Sequence, residues 1–210
     1  MADVEFFFDP VCPFAWVTSQ WVRAVDAQRE LNVEWKLISL AFLNEANDLY
    51  AEAPEKHPAH TRGLRLLRVC AAAKAVQGPV AVGRLYRAFG TTIHNERHGE
   101  RLDMADGIRH ILTTLTLPAD LCDAVDDDSF DSDIRASTNE AISRVGPGVG
   151  TPVITFRGGA SFFGPVISHA PSGEKAVQLW DAVELLANNA SFSELKRTKR
   201  PSLDFTGGQR

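Results

Sequence analysis

Three cysteines occur in this 210-residue sequence, and Cys12 is the one whose surroundings could put a thiol to use. It follows a short apolar run, Val4, Phe6, Phe7 and Phe8, closed by Asp9-Pro10, and it precedes Pro13. An apolar run bounded by turn residues reads as a buried strand. Proline suits the first position of a helix, where the N–H it lacks has no partner to lose. Cys12 is thereby predicted at a helix N-cap, facing unpaired backbone N–H groups and the positive end of the helix dipole. A thiolate is stabilised there, so the expected pKa lies below the roughly 8.5 of a free cysteine. The chemistry predicted is that of a nucleophilic sulfur on a strand-to-helix turn. Cys70, within Leu66-Leu67-Arg68-Val69-Cys70-Ala71, and Cys122, after Leu121, fall on apolar helical faces and read as small core residues.

Other candidate constellations are weaker. His94 and His98 have a spacing that can bind zinc on a helix face. A third ligand is not evident and Gly99 follows, so a helix-end role is predicted and no metal site is expected. The acidic run Asp126 to Asp133 lacks the glycine and terminal glutamate of a calcium loop; it reads as a link between helices that supplies the N-cap of the second. Gly146, Gly148 and Gly150 lead into a strand rather than out of one, which excludes a nucleotide-binding loop. Nothing resembles a nucleophile elbow, and no flavin or nicotinamide fingerprint is present.

The elements that must position Cys12 follow from periodicity. A helix from Pro13 to about Glu30 carries Phe14, Val17, Trp21, Ala24 and Val25 on one face, with Asn32 placed to close it. Val33, Trp35 and Leu37 alternate with Glu34 and Lys36 as in a half-buried strand. Strand, helix and strand of these lengths predict a right-handed βαβ unit with a parallel pair. From Asn44 to Ser143 helical patterns follow one another: Leu64, Leu67 and Ala71; Val82, Leu85 and Phe89; Leu102, Ala105, Ile108 and Leu112; then shorter helices from Pro118 and Asp131. Val153 to Phe156 and Ala160 to Phe163 flank Gly158-Gly159 and predict a hairpin. A helix is predicted from Ser172 or Gly173 to about Leu186, and the polar, basic end from Lys196 is expected to fray.

Composition sets outer limits. A hydrophobic content of 44% is enough for a core, and a net charge of −5 argues against a nucleic-acid or anionic-membrane surface. The basic run Lys196 to Arg200 is short and reads as solvated or packed on the domain. No apolar stretch approaches the roughly 18 residues of a membrane span. Strand-like sequence begins at once, with Asp3 and Glu5 inside it, unlike a secretory signal. A cytoplasmic location is therefore expected, with three unpaired cysteines.

The wording of the chain resembles the DsbA-like branch of the thioredoxin fold, and within it the mycothiol-dependent nitroreductase family. The similar stretches are FDPVCPFAWVTSQWV (Phe8 to Val22), LAFLNE (Leu40 to Glu45), IHN (Ile93 to Asn95), GTPVI (Gly150 to Ile154), FFGPVIS (Phe162 to Ser168) and ELKRTK (Glu194 to Lys199). The resemblance implies an α/β architecture: a thioredoxin-like domain, residues 1–43 and 144–210, carrying a helical insertion, 44–143. It implies thiol-dependent oxidoreduction with Cys12 as nucleophile and mycothiol as a low-molecular-weight co-substrate, no cofactor being tightly bound. Disulfides or nitroaromatic compounds are the implied substrates. Pro13 and the Phe14-Ala15 pair would set the turn, and Pro13, Phe14, Thr151 and Pro152 would bind the substrate or thiol, with Thr151-Pro152 presenting the substrate to Cys12. Thr151-Pro152, for which a trans bond is the default since cis occurs in about 5–6% of X–Pro bonds, is implied to be cis and to face Cys12. Asn44 matches an asparagine of the family and would hold polar groups of a substrate; as a residue it reads equally as a helix N-cap near Asn47 and Asp48. One departure is notable: the family pattern Cys-Pro-Trp-Cys stands here as Cys12-Pro13-Phe14-Ala15, without the second thiol. Two alternatives stay open, a relative of glutathione transferase kappa and 2-hydroxychromene-2-carboxylate isomerase, whose members usually carry serine at this position, and a redox-sensing or binding protein without turnover. The physiological substrate and the oligomeric state, a homodimer included, are not fixed by the sequence.

Overall fold

The structure, a computed structural model, describes residues 2–45 and 57–206. Its centre is strand β1 (Val4–Phe8), which is parallel to β2 (Val33–Leu37) on one side and antiparallel to β3 (Val153–Phe156) on the other; β4 (Ser161–Phe163) completes the order β2-β1-β3-β4. The fold is the thioredoxin-like α/β class. Phe6, Phe7 and Phe8 are all fully buried, because both faces of β1 are covered. On one face Phe6 and Phe8 meet Trp35 and Tyr86, with the Phe8 and Tyr86 rings stacked at 3.8 Å. On the other, Phe7 packs with Ile38, Ala141 and Val153. Where both faces of a strand are covered there is little room for polar alternation, which is why Phe6, Phe7 and Phe8 run on without a break, while Glu5, only half-buried, is paired with Arg144.

Helix α1 (Pro13–Arg29) buries Trp16, Val17, Trp21, Val22 and Val25. It ends at Glu30, whose φ of 50° is left-handed and whose N–H returns to the Asp26 carbonyl. Asn32, expected to close the helix, instead opens the sheet: its N–H donates to the Asp3 carboxylate and its carbonyl accepts from Asp3 N. Between β2 and β3 the described residues are helical: α2 (Leu40–Leu43), α3 (Pro58–Gln77), α4 (Pro79–Gly90), a π turn (Thr91–Asn95), α5 (Ala105–Thr114), three 3-10 turns (Gly99–Asp103, Ala119–Asp126, Asp128–Phe130) and α6 (Asp131–Val145). Helix α6 is longer than expected. It lies against the sheet, with Ser137 Oγ donating to the Leu37 carbonyl, Thr138 Oγ1 accepting from Ser39 N, and Arg144 paired with Glu5. The acidic run does not cap α6, whose N-cap is Phe130. Asp127 caps the preceding 3-10 turn, while Asp126 and Asp131 pair with Arg65 and Arg68 of α3.

Helix α7 (Glu174–Ala187) joins α1: Trp21 Nε1 donates to the Ala176 carbonyl, and the Trp21 and Trp180 rings lie 5.4 Å apart. The segment after it does not simply fray. Leu203 and Phe205 pack against the core, and Asp204 N donates to the Ser168 carbonyl, because two apolar side chains follow the basic run and find a surface to bury them. Among the described residues no helix is long and apolar enough to cross a membrane.

Candidate active site at the head of helix α1

Pro13 is the first residue of α1, so the chain turns sharply between β1 and the helix, and Cys12 occupies the N-cap with extended backbone angles (φ −75°, ψ 113°). Its Sγ accepts from Ala15 N at 3.4 Å and lies 3.3 Å from the Thr151 carbonyl oxygen. A carbonyl only accepts, so the thiol donates to it and carries its proton. Thr151 is fixed in turn by its own hydroxyl, which donates to the Phe7 carbonyl at 3.1 Å. The Thr151–Pro152 peptide is cis, and the Pro152 carbonyl accepts from Gly164 N at 2.8 Å. The fold thus brings Cys12, Pro13, Phe14, Thr151 and Pro152 into one place, where the carboxyl end of β1 meets the loop that opens β3.

The expected depression of the Cys12 pKa is not what this geometry gives. Cys12 is 5% exposed. Burial pushes the thiol up to about 12; the Ala15 and Phe14 N–H groups pull downward, and the charge of Asp9 adds to the rise. The correction has a simple cause. The N-cap hydrogen bonds are present, but desolvation of a thiolate outweighs them, and among the described residues no cation offsets it. Cys70 and Cys122 are buried and unpaired, with thiols raised by the same desolvation.

Asp9, read from the sequence only as a turn residue, proves to be a fully buried carboxyl group. Oδ1 accepts from Val11 N at 3.1 Å and Oδ2 from Leu40 N at 2.8 Å, so it ties the cysteine loop to the start of α2. The α3 backbone closes over it at Gly63, where a Cβ would stand 2.5 Å from Oδ1. Burial raises this carboxyl to about 7, against the pull of the Leu40 and Val11 N–H groups. The only sequence signal was an acidic residue beside an apolar strand.

The two histidines expected at a helix end are used separately. His94, in the π turn, is buried; its Nε2 lies 2.9 Å from the Pro10 carbonyl, and since a carbonyl only accepts, Nε2 holds the proton. Burial lowers its pKa to about 4, so the ring is neutral near pH 7. His98 is exposed beside Glu100. Among the described residues no group of three or more His, Cys, Asp and Glu could hold a metal. The His94 ring stacks between Trp16 (5.7 Å) and Phe205 (5.5 Å). Asn95 Oδ1 accepts from Trp16 Nε1 at 3.0 Å while its Nδ2 donates to the Phe205 carbonyl at 2.6 Å. The Arg200 guanidinium lies 5.3 Å from the centre of the Phe14 ring. The C-terminal segment therefore straps the face of α1 next to Cys12, a contact that no local pattern in the sequence announces.

Asn44 is a C-cap rather than an N-cap: Nδ2 donates to the Leu40 carbonyl at 2.7 Å, because α2 stops after one turn. Asn47 and Asp48 lie outside the described residues. Asn44 makes no hydrogen bond to Cys12, but it lines a cleft of about 490 Å³ with Leu40, Leu43, Ile142 and the loop from Pro147 to Gly150, which leads directly into Thr151.

Comparison with known proteins places these features in context. A family model described as "Rv2466c-like: Mycothiol-dependent nitroreductase Rv2466c" matches residues 11–197. The chain is 34% identical over 206 residues to a Mycobacterium tuberculosis protein named "Uncharacterized protein Rv2286c", covering 96% of this chain and 84% of that protein. Among solved structures it resembles a 2-hydroxychromene-2-carboxylate isomerase (TM-score 0.58, 16% identity, 87% of this chain and 95% of that one). It also resembles the cytosolic disulfide reductase DsbM from Pseudomonas aeruginosa (TM-score 0.54, 16% identity, 87% and 98%). At these identities the structural likenesses speak to the fold.

Proposed function

Because the chain belongs to the Rv2466c-like family of mycothiol-dependent nitroreductases, we propose that it is a cytoplasmic, thiol-dependent oxidoreductase in which Cys12 is the single nucleophile. The observation that carries this reading is the placement of the Cys12 sulfur between the Ala15 N–H at the head of α1 and the Thr151 carbonyl of the loop before β3. As a thiolate the sulfur keeps the Ala15 N–H as donor and loses its reason to face the Thr151 carbonyl, so ionisation itself turns it toward a substrate.

With a disulfide substrate, the Cys12 thiolate attacks one sulfur, the S–S bond breaks, and the other half leaves as a thiolate that takes a proton from water. Position 15 is Ala, so the mixed disulfide is opened by an external thiol, which forms the new disulfide and returns Cys12. With a nitro compound, two thiols supply two electrons and two protons and finish as a disulfide, the nitro group becoming nitroso with loss of water. Mycothiol is the proposed donor, as co-substrate. The cleft lined by Asn44 and Gly150 is its proposed berth, its Pro147–Gly150 wall running on into Thr151 and cis-Pro152, and Pro13 and Phe14 are proposed as further contacts for thiol or substrate. A sulfur that is 5% exposed must be uncovered before any of this. Residues 44–143, taken as an insertion in the domain formed by 1–43 and 144–210, are the part proposed to close over it.

The experiment is turnover of a disulfide and of a nitroaromatic substrate with mycothiol as sole reductant, with the mass of the protein read while the thiol is limiting. A single mycothiol adduct on Cys12 and a rate proportional to thiol support the reading. Turnover that proceeds through an intramolecular disulfide overturns the monothiol mechanism, and no turnover with any small thiol overturns the enzymatic one.

A further inference from the structure

A second cleft, of about 470 Å³, opens between α4 and α5, with the π turn and the Arg101 turn as its ends. Three guanidinium groups line it, from Arg84, Arg87 and Arg101, together with the His110 imidazole. Arg84 and Arg87 are one turn apart on α4 and so share a face. Arg84 is fixed by a hydrogen bond to the Leu115 carbonyl. Among the described residues none of the three arginines makes a salt bridge, although Arg101 does help hold the exposed Glu100 carboxyl below its usual range, whereas Arg29, Arg62, Arg65, Arg68, Arg109 and Arg144 are each paired. Glu96 is the one carboxylate of the lining, and among the described residues it too makes no salt bridge. Arg87 also adds to the positive charge around Arg23. On a chain of net charge −5, three guanidiniums without salt bridges against one lining carboxylate leave a local excess of positive charge that favours an anion.

The rest of the lining narrows the class of anion. Leu102 and Ile111 are buried, and with Ala88 and Leu115 they give the cleft an apolar floor. Thr91 and Thr92 stand on the π-turn side. Arginine forks match phosphate or carboxylate oxygens in pairs and stack on flat apolar groups. Three such forks call for more than one negative charge, as a phosphate monoester carries near neutral pH, with three acceptor oxygens. We propose that this cleft binds a small organic phosphate, its phosphate held by Arg87 and Arg101 and its apolar body lying on Leu102 and Ile111. The site is separate from Cys12 and does not rest on the function proposed above. It shares one wall with it, however, since the π turn whose Thr91 and Thr92 face this cleft also carries His94 and Asn95 against Pro10 and Trp16. Single π turns inside helical segments are found often at functional sites.

Calorimetric titration of the full-length protein with phenyl phosphate, inorganic phosphate and benzyl alcohol tests the assignment. Phenyl phosphate should bind saturably, more tightly than inorganic phosphate, and benzyl alcohol should give no saturable signal. The Arg87→Gln/Arg101→Gln variant should bind phenyl phosphate at least about tenfold more weakly, the loss expected for charged hydrogen bonds. Arg197→Gln/Lys199→Gln, which removes the same two charges from exposed positions elsewhere, should change affinity less than about twofold. Amide chemical shifts of the unmodified protein locate the ligand independently of any variant. Perturbations centred on Thr91, Thr92 and His110 support the site. Perturbations elsewhere, unchanged affinity in the double variant, or phenyl phosphate bound no tighter than inorganic phosphate would overturn it.

Discussion

Cys12 and Thr151, 139 residues apart, stand 3.3 Å from each other, thiol to carbonyl. The contact uses the Thr151 backbone, so the identity of residue 12 decides the chemistry. Cys12→Ser should abolish thiol-dependent turnover, because a hydroxyl at that N-cap keeps the hydrogen bonds but is not ionised near neutrality. Cys70→Ala and Cys122→Ala should leave the catalytic rate nearly unchanged and cost roughly 0.5–3 kcal/mol of stability through lost packing. Steady-state kinetics with urea melts separate the two effects.

Alkylation of Cys12 reports its protonation. With the thiol pushed up to about 12, the thiolate fraction rises about tenfold for each pH unit between 7 and 10. The iodoacetamide rate constant should rise with it, without levelling near the free-thiol value. Asp9→Asn removes a like charge and should move the curve to lower pH. A plateau below pH 8 in the unmodified protein would count against the buried, protonated thiol.

Asp9 and His94 should make opposite contributions to stability in the same pH window. Folded Asp9 keeps its proton up to about 7, while the unfolded carboxyl loses it near 3.8; between these the folded state binds more protons and stability falls as pH rises. Folded His94 stays neutral down to about 4, while the unfolded imidazole takes a proton below about 6.5; there the unfolded state binds more protons and stability rises with pH. The two offset each other from about pH 4 to 6.5. Asp9→Asn should therefore leave a steeper rise across that window, and His94→Gln a steeper fall, each by up to about 1.4 kcal/mol per pH unit. Urea melts at pH 4.5 and 6.5 give both slopes. Slopes that match the parent in both variants would refute the burial argument.

Gly90 admits the Trp16 ring: a Cβ on Gly90 would stand 2.2 Å from two ring carbons. Gly90→Ala gains roughly 0.5–1 kcal/mol in helix propensity and loses roughly 1–3 kcal/mol to overpacking. Displacing Trp16 also strains its bond to Asn95. The expected net result is a lower melting temperature, read by calorimetry.

Ending the chain at Lys199 removes the Arg200 contact to Phe14 and the Phe205 contacts to His94 and Asn95. Cys12 should then alkylate several-fold faster at constant pH, while Cys70 and Cys122 stay unreactive. Peptide mapping after a short pulse decides it; an unchanged Cys12 rate would show that the strap does not guard the sulfur.

What could be read from the sequence was what short-range chemistry determines. The strand, the N-cap at Cys12 and Pro13 at the first helical position follow from neighbours a few residues apart, as does the hairpin at Gly158-Gly159. The pKa of Cys12 could not be read, because its sign depends on how much water the folded chain removes, and that is set by residues far away. Asp9 looked like any residue before a turn until Gly63 closed over it. Asn32 was a reasonable helix stop, but Asp3 had a stronger use for its backbone. His94, Asn95 and Phe205 meet only in three dimensions, and the basic run before them masked the two apolar residues that hold the end of the chain.

The strand order β2-β1-β3-β4 also sets a timetable. The antiparallel pairing of β1 with β3 completes the sulfur's surroundings, and β3 begins at Val153. At about 5–20 residues per second of translation, roughly 7–28 seconds pass between synthesis of Cys12 and of its acceptor Thr151. Throughout that interval one edge of β1 is unpaired and the thiol has no carbonyl to face, so the nascent chain presents a bare cysteine that the finished protein conceals. In the finished protein the same sulfur is 5% exposed and faces the Thr151 carbonyl, so its exposure is greatest before the chain is complete.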